Sequence, residues 1–223
     1  MNREPFADNE WYHCFTRGVE KRTTFQSHKD YDRFLHLLYL CNNSRSIKLS
    51  DHKSKSRSEI FSILRDEEIV HIGAYALMPN HFHLLIRQSR PYGISEFMQK
   101  IGTGYTMYFN IKNDRIGNLF VKPFRSRHVA EDRYFQKLIS YIHLNPYELE
   151  EPGWKYGKVK SKAQAKKFLT SYIYSSFVDY ELPYVRAERS ILNHDAFDFI
   201  SSVKKDVDTM VTEASEYYAD MSR

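Results

Sequence analysis

Ile69-Val-His-Ile-Gly-Ala-Tyr-Ala-Leu-Met78 runs into Pro79-Asn80 and then into His81-Phe-His-Leu-Leu-Ile-Arg87. Two apolar runs of strand length around a Pro-Asn turn predict a strand pair over Ile69–Arg87. Residues two apart on a strand share a face, so His81 and His83 project together while Phe82 points the other way. Their Cα atoms are then about 6–7 Å apart, close enough for both imidazoles to close on one divalent metal. A single hydrogen-bonded core histidine beside a chance neighbour gives the same pattern, and the pair alone does not separate the two readings.

Upstream of the hairpin, Trp11-Tyr-His-Cys-Phe-Thr-Arg-Gly18 reads as a strand ending in a polar turn. Tyr31, Phe34, Leu35, Leu38 and Tyr39 recur at helical spacing and predict a helix over Lys29–Asn42. Asn43–Ser58 carries Arg45, Lys48, Lys53, Lys55 and Arg57 against Asp51 and reads as a flexible loop, with a short helical segment over Ser58–Leu64. Downstream, Ile94, Phe97, Met98, Ile101, Tyr105, Tyr108 and Phe109 place a helix over Gly93–Asn113. A glycine-bounded strand is expected at Asn118-Leu-Phe-Val121, followed by the basic stretch Lys122-Pro-Phe-Arg-Ser-Arg-His128. A further helix opens at Glu131 or Asp132 and runs to Leu144, where Asn145-Pro146 stops it. The order β-α-β-β-α-β-α predicts an α+β, ferredoxin-like split βαβ fold, with a central antiparallel sheet flanked by helices. Beyond Pro152 the composition changes: Lys155–Lys167 is lysine-rich, and the acidic tail from Glu188 puts Phe197, Ile200, Val203, Val207, Met210 and Val211 on one helical side. This predicts a catalytic domain over residues 1–180 and a C-terminal helical extension over 181–223.

The chain has 223 residues, with 33 Lys+Arg against 28 Asp+Glu for a net charge of +5, and 42% hydrophobic residues. That composition, with no long apolar run and no repeat, excludes an intrinsically disordered chain, a membrane span and a solenoid. The N-terminus has no apolar leader, and the two cysteines, Cys14 and Cys41, suit a reducing cytoplasm without disulfides. The 17 tyrosines admit three uses: base stacking, core packing or nucleophilic attack. On the last predicted helix Tyr141 and Asn145 lie one turn apart and share a face, which Tyr134 and Leu138 extend, while His143 falls opposite. An Asn oxygen is a competent ligand for a hard cation, so Asn145 can complete a His81–His83–Asn145 set with positions left for phosphate. Alternatively, Tyr141 packs in the core and Asn145 merely precedes the proline. Tyr105, Tyr108 and Tyr134 are rival nucleophiles.

Met78-Pro-Asn-His-Phe-His-Leu-Leu-Ile86 resembles the His–bulky apolar–His metal motif of the HUH single-tyrosine transposases, in particular the REP-associated tyrosine transposase branch. Gly73-Ala-Tyr-Ala-Leu77 and Tyr141-Ile-His-Leu-Asn-Pro146 match the same group in the expected order, so the likeness covers roughly Trp11–Pro146. Ser171-Tyr-Ile-Tyr-Ser-Ser-Phe-Val-Asp-Tyr180 is similar to a further family stretch. Gly153–Thr170 is longer and richer in lysine than the family's link, and the tail after Arg186 has no counterpart there. The resemblance implies a ferredoxin-like core and nicking and joining of single-stranded or hairpin DNA through a 5′-phosphotyrosine intermediate. It places the nucleophile on Tyr141 and an Mg²⁺ or Mn²⁺ ion on His81, His83 and Asn145. It further implies a bacterial, nucleoid-associated cytoplasmic protein, and leaves monomer and homodimer open.

A phenol titrates near pKa ~10, so the phenolate costs about 4 kcal/mol at pH 7 and needs charge stabilisation nearby. The basic residues of Arg87–Arg133 border both motifs. Arg87, Lys122, Arg125 and Arg127, with Arg17 in the first turn, are the expected DNA contacts. Two other functions fit the composition: a nucleic-acid-binding regulator without chemistry, and a metal-dependent phosphohydrolase that uses water.

Overall fold

A computed structural model describes residues 5–45, 49–52, 54–203 and 205–221. The hairpin forms as expected: β2 (Val70–Met78) turns at Pro79-Asn80 into β3 (His81–Gln88). β1 (Trp11–Arg17) lies antiparallel between β3 and β4 (Arg125–Val129), giving the order β2-β3-β1-β4. α1 (His28–Leu40) carries the chain from β1 across β3 to β2, which is the split βαβ crossover. Asn42, just past α1, fixes where β2 begins. Its buried side-chain oxygen accepts from the backbone N–H of Ile69 and of Val70 at 3.0 Å each, and its amide donates to the Val70 carbonyl at 2.8 Å. Truncating it strands those buried backbone groups, so Asn42→Ala is expected to lower stability by about 2–4 kcal/mol, read as a lower urea midpoint at unchanged slope.

Strand alternation divides the interior in two. On one face Tyr12, Cys14, Tyr75, Leu77, Phe82, Leu84 and Ile86 pack against α1 and α3 (Gly93–Lys112), with α2 (Arg57–Ile60) at its margin. On the other face Ala74, Ala76, Leu85 and Val129 receive α4 (Asp132–Leu144). Two alanines on the β2 side of this second face leave room for α4 to sit close to the sheet. Pro146 lacks the N–H an α-helix needs, and the chain continues as a 3-10 turn over Asn145–Leu149. α5 (Lys162–Ser171), α6 (Phe177–Glu181), α7 (His194–Ser201) and α8 (Val207–Met221) complete the chain. Among the described residues no helix is long and apolar enough to cross a membrane.

The fourth strand lies further along than expected. Leu119 and Phe120 are buried, but they form only a pinned loop, in which the Val19 N–H donates to the Leu119 carbonyl and the Val121 N–H to the Arg17 carbonyl. The strand is instead the basic Arg125–Val129, because an edge strand needs backbone pairing on one side and tolerates charged side chains. The basic segment after Asn43 also differs from a plain loop. Leu49–His52 makes a 3-10 turn, and Arg57 opens α2, paired with Asp32 and Glu188. α2 ends at Ile60, short of Leu64, while Lys48 and Lys53 lie outside the described residues.

The acidic tail covers a hydrophobic face. Ile200, Val207, Met210, Val211, Ala214 and Tyr217 join the second core, Phe197 stacks on Tyr180, and Val203 remains exposed. Glu213 pairs with Lys205 and Glu216 with Lys137 of α4, so part of its negative charge is neutralised within the protein.

Candidate active site

His81 and His83 leave β3 on the α4 side of the sheet, with ring centroids 5.0 Å apart and planes at 90°. Their strand neighbours in β1 are Arg17 and Phe15, and in β2 Met78 and Ala76. Tyr141 on α4 and Asn145 at the start of the 3-10 turn that follows it come down onto the same spot. The Tyr141 ring centroid lies 5.4 Å from that of His83, and both residues are buried.

The hydrogen bonds define which atoms are left over. Asn145 donates its amide to the Tyr141 carbonyl at 3.4 Å, which turns its side-chain oxygen toward His81 Nε2, also at 3.4 Å. Asn80 donates to the Lys21 carbonyl at 3.3 Å, which turns its oxygen onto His81 Nδ1 at 2.6 Å. Both His81 nitrogens thus face amide oxygens while a neutral ring carries one proton; the shorter contact, Nδ1 to Asn80, takes it, which leaves Nε2 facing Asn145 as a lone pair. His83 Nδ1 is engaged with His13 Nε2 at 2.8 Å, while His83 Nε2 is buried without a hydrogen-bond partner among the described residues. An unpaired buried nitrogen, a second imidazole lone pair and an amide oxygen thus meet in one place. Two imidazole nitrogens and an amide oxygen could hold a divalent cation, and on softness they suit Mn²⁺ better than Mg²⁺. Among the described residues no group of three His, Cys, Asp or Glu side chains could hold a metal ion, so a third donor beside the two histidines would be the Asn145 amide oxygen. Cys14 lies on the opposite face of the sheet, which removes the thiolate a structural zinc site would want.

Burial keeps these rings neutral at physiological pH. It pushes His81 down to about 4, with Asn145 and Glu148 pulling back, and His83 well below the usual imidazole value, reinforced by the neighbouring His13 and His81. The phenol of Tyr141 is raised to about 12, chiefly by burial and against a hydrogen bond from Asn145.

The site opens into a cavity of about 780 Å³, whose walls include Arg17, Lys21, Arg125 and Lys155 against Glu20 and Glu148. Glu148 is held by Lys155 at 2.6 Å. Of the expected DNA contacts, Arg17 and Arg125 line this cavity. Lys122 is exposed outside it, and Arg127 lies over the Tyr134 and Tyr217 rings, at 5.0 and 5.9 Å. Arg87 is at the far end of β3, against Trp11 and His71. His128 points to the other face, where it meets Glu10 and Tyr12.

The rival tyrosines do not line this cavity. Tyr105 donates to the Thr24 carbonyl and Tyr108 to Asp30, both on the α1–α3 face, and Tyr134 packs on Tyr217. His143 projects from the far side of α4 and bonds Ser176. Sequence reading missed His13, Lys21, Glu148, Lys155, Tyr217 and Tyr218. His13 had a signal: with period 2 it shares a strand face with Arg17. Glu148 extends the Tyr141–Asn145 spacing. Nothing local marks Lys155, Tyr217 or Tyr218.

Comparisons with known proteins bear on the family and on the fold. Residues 29–145 match the family model described as IS200-like transposase. A solved structure of a REP-associated tyrosine transposase bound to a REP hairpin superposes with a TM-score of 0.52 at 13% identity, over 93% of this chain and 92% of that one, a likeness of fold. No curated protein sequence matches the chain significantly.

Proposed function

The chain belongs to the IS200-like transposase family and is thus a transposase acting on DNA, and from that premise we propose that it nicks and rejoins single-stranded DNA through the hydroxyl of Tyr141. The observation that carries this reading is the meeting of the partnerless His83 Nε2, the His81–Asn145 pair and the Tyr141 phenol at one cationic cavity.

Arg17, Lys21, Arg125 and Lys155 bind the phosphate backbone and bring one phosphodiester to Tyr141. The Tyr141 oxygen forms a bond to phosphorus as the bond from phosphorus to the upstream 3′-oxygen breaks, and the phenolic proton leaves with that 3′-hydroxyl. Joining is the reverse attack by another 3′-hydroxyl, and the phosphotyrosine conserves the bond energy, so no nucleotide cofactor is consumed. With burial holding the phenol near 12, a free phenolate at pH 7 costs roughly 7 kcal/mol, a cost that charge stabilisation at the phosphate has to offset. An Mg²⁺ or Mn²⁺ ion held by His81, His83 and Asn145 would supply a Lewis acid for the phosphate's developing charge.

The test uses a 3′-labelled oligonucleotide carrying a hairpin, the DNA form named for the structural neighbour. The wild-type protein with Mn²⁺ or Mg²⁺ should give an SDS-resistant protein band bearing the label, and chelation should remove it. Cleavage without that band would identify a hydrolase, and binding without cleavage a silent regulator. Contacts are tested separately. Arg17→Ala and Arg125→Ala should each weaken single-strand binding about 3–10-fold and reduce the salt slope by about 0.7, whereas Arg87→Ala, away from the cavity, should leave both unchanged.

A further inference from the structure

Behind His83, on the side away from the cavity, a buried chain of hydrogen bonds crosses the second core. His83 Nδ1 meets His13 Nε2 at 2.8 Å, and His13 Nδ1 meets the Tyr217 hydroxyl at 2.8 Å. His13 and Tyr217 are 0% exposed and His83 is 3% exposed. Aromatic neighbours hold the His13 ring: Phe15 stacks on it at 4.5 Å and His83 at 5.0 Å, and Tyr217 packs edge-on at 5.7 Å.

We propose that His13 and Tyr217 are positioning residues for the metal site, a relay that orients the His83 ring and keeps its Nε2 as a bare lone pair aimed into the cavity. The inference rests on reading His81, His83 and Asn145 as metal ligands. A neutral imidazole carries one proton, so a ring whose Nδ1–H is donated presents Nε2 as an acceptor. Among the described residues His13 Nε2 is the one hydrogen-bond partner of His83 Nδ1, and to accept that proton His13 must carry its own proton on Nδ1, which Tyr217 then accepts. In the opposite arrangement His83 would present a buried N–H with no acceptor, since among the described residues its Nε2 has no hydrogen-bond partner. Outer groups that fix the tautomer of a ligating histidine commonly change metal affinity by about 10–100-fold. The outermost group here sits on α8, 204 residues from the histidine it touches, so the C-terminal helix takes part in shaping the ligand set.

Titration calorimetry of the full-length protein with Mn²⁺, without DNA, tests the relay. His13→Leu should weaken Mn²⁺ binding about 10–100-fold, and His13→Gln, whose amide oxygen can accept the Nδ1 proton, should recover affinity to within about threefold. Tyr217→Phe, which removes only a hydroxyl, should weaken it about 3–10-fold and is decisive if His13→Leu does not fold. Nitrogen-15 spectra of the Mg²⁺-loaded wild type should show His83 protonated on Nδ1. An Nε2–H signature there, or wild-type Mn²⁺ affinity in folded His13→Leu and in Tyr217→Phe, would overturn the relay. His81→Ala and His83→Ala separate the two readings. If they bind Mn²⁺ normally, the metal site itself is wrong; if they lose it while the relay variants keep it, only the relay falls.

Discussion

Tyr141→Phe should form no covalent protein–DNA band, with cleavage reduced roughly 10⁴-fold or more, because the atom that attacks phosphorus is gone. Binding of the same oligonucleotide should stay within about twofold, since the cavity's cations carry the phosphate contacts. The substitution is mild for the fold. The ring's neighbours, Tyr217 at 4.9 Å and Trp154 at 6.0 Å, remain in contact with Phe, and loss of the hydroxyl should cost no more than about 1 kcal/mol. Tyr218→Phe is the necessary companion, because Tyr218 is the other tyrosine on the cavity wall. It should leave the covalent band intact. A band that survives in Tyr141→Phe and disappears in Tyr218→Phe would move the nucleophile to α8.

Ending the chain after Asp206 should collapse the second core. α8 buries Val207, Met210, Val211, Ala214 and Tyr217 against α4 and the sheet. At about 1.5–3 kcal/mol per large apolar side chain, four such residues supply roughly 6–12 kcal/mol before the helix's own ordering is subtracted. Even the remainder is comparable to the whole stability of an ordinary domain. The truncated protein should therefore lose its cooperative melt or melt more than about 10 °C lower, and should bind a hydrophobic dye that the intact chain does not. A melting temperature within a few degrees of the full chain's would show instead that residues 1–206 hold their own core and that α8 is an appendage.

Much of this molecule was legible locally. The Ile69–Arg87 hairpin, the helices at Tyr31–Tyr39, Ile94–Phe109 and Arg133–Leu144, and the His81–His83 and Tyr141–Asn145 spacings all follow from periods of two and 3.6 and from a proline that ends a helix. The fourth strand was not legible, because its backbone pairs on one side with the distant β1, and an edge strand beside a polar cavity has no apolar alternation to read. The expected DNA contacts divided for a similar reason. Arg125 and Arg127 share a strand face, yet one lines the cavity and the other lies across two tyrosine rings.

The sequence by itself determined which side chains share a strand face or a helix face, and hence that two histidines travel together and that a tyrosine travels with an asparagine. Only the tertiary structure decided that the two pairs meet, that His83 has one nitrogen engaged and one free, and that His13 and Tyr217 stand behind it. The physical reason is range. Face-sharing is set by backbone geometry over a few residues, whereas these contacts join segments 64 to 204 residues apart, and only the packing of the sheet, α4 and α8 around one core brings them within hydrogen-bond distance.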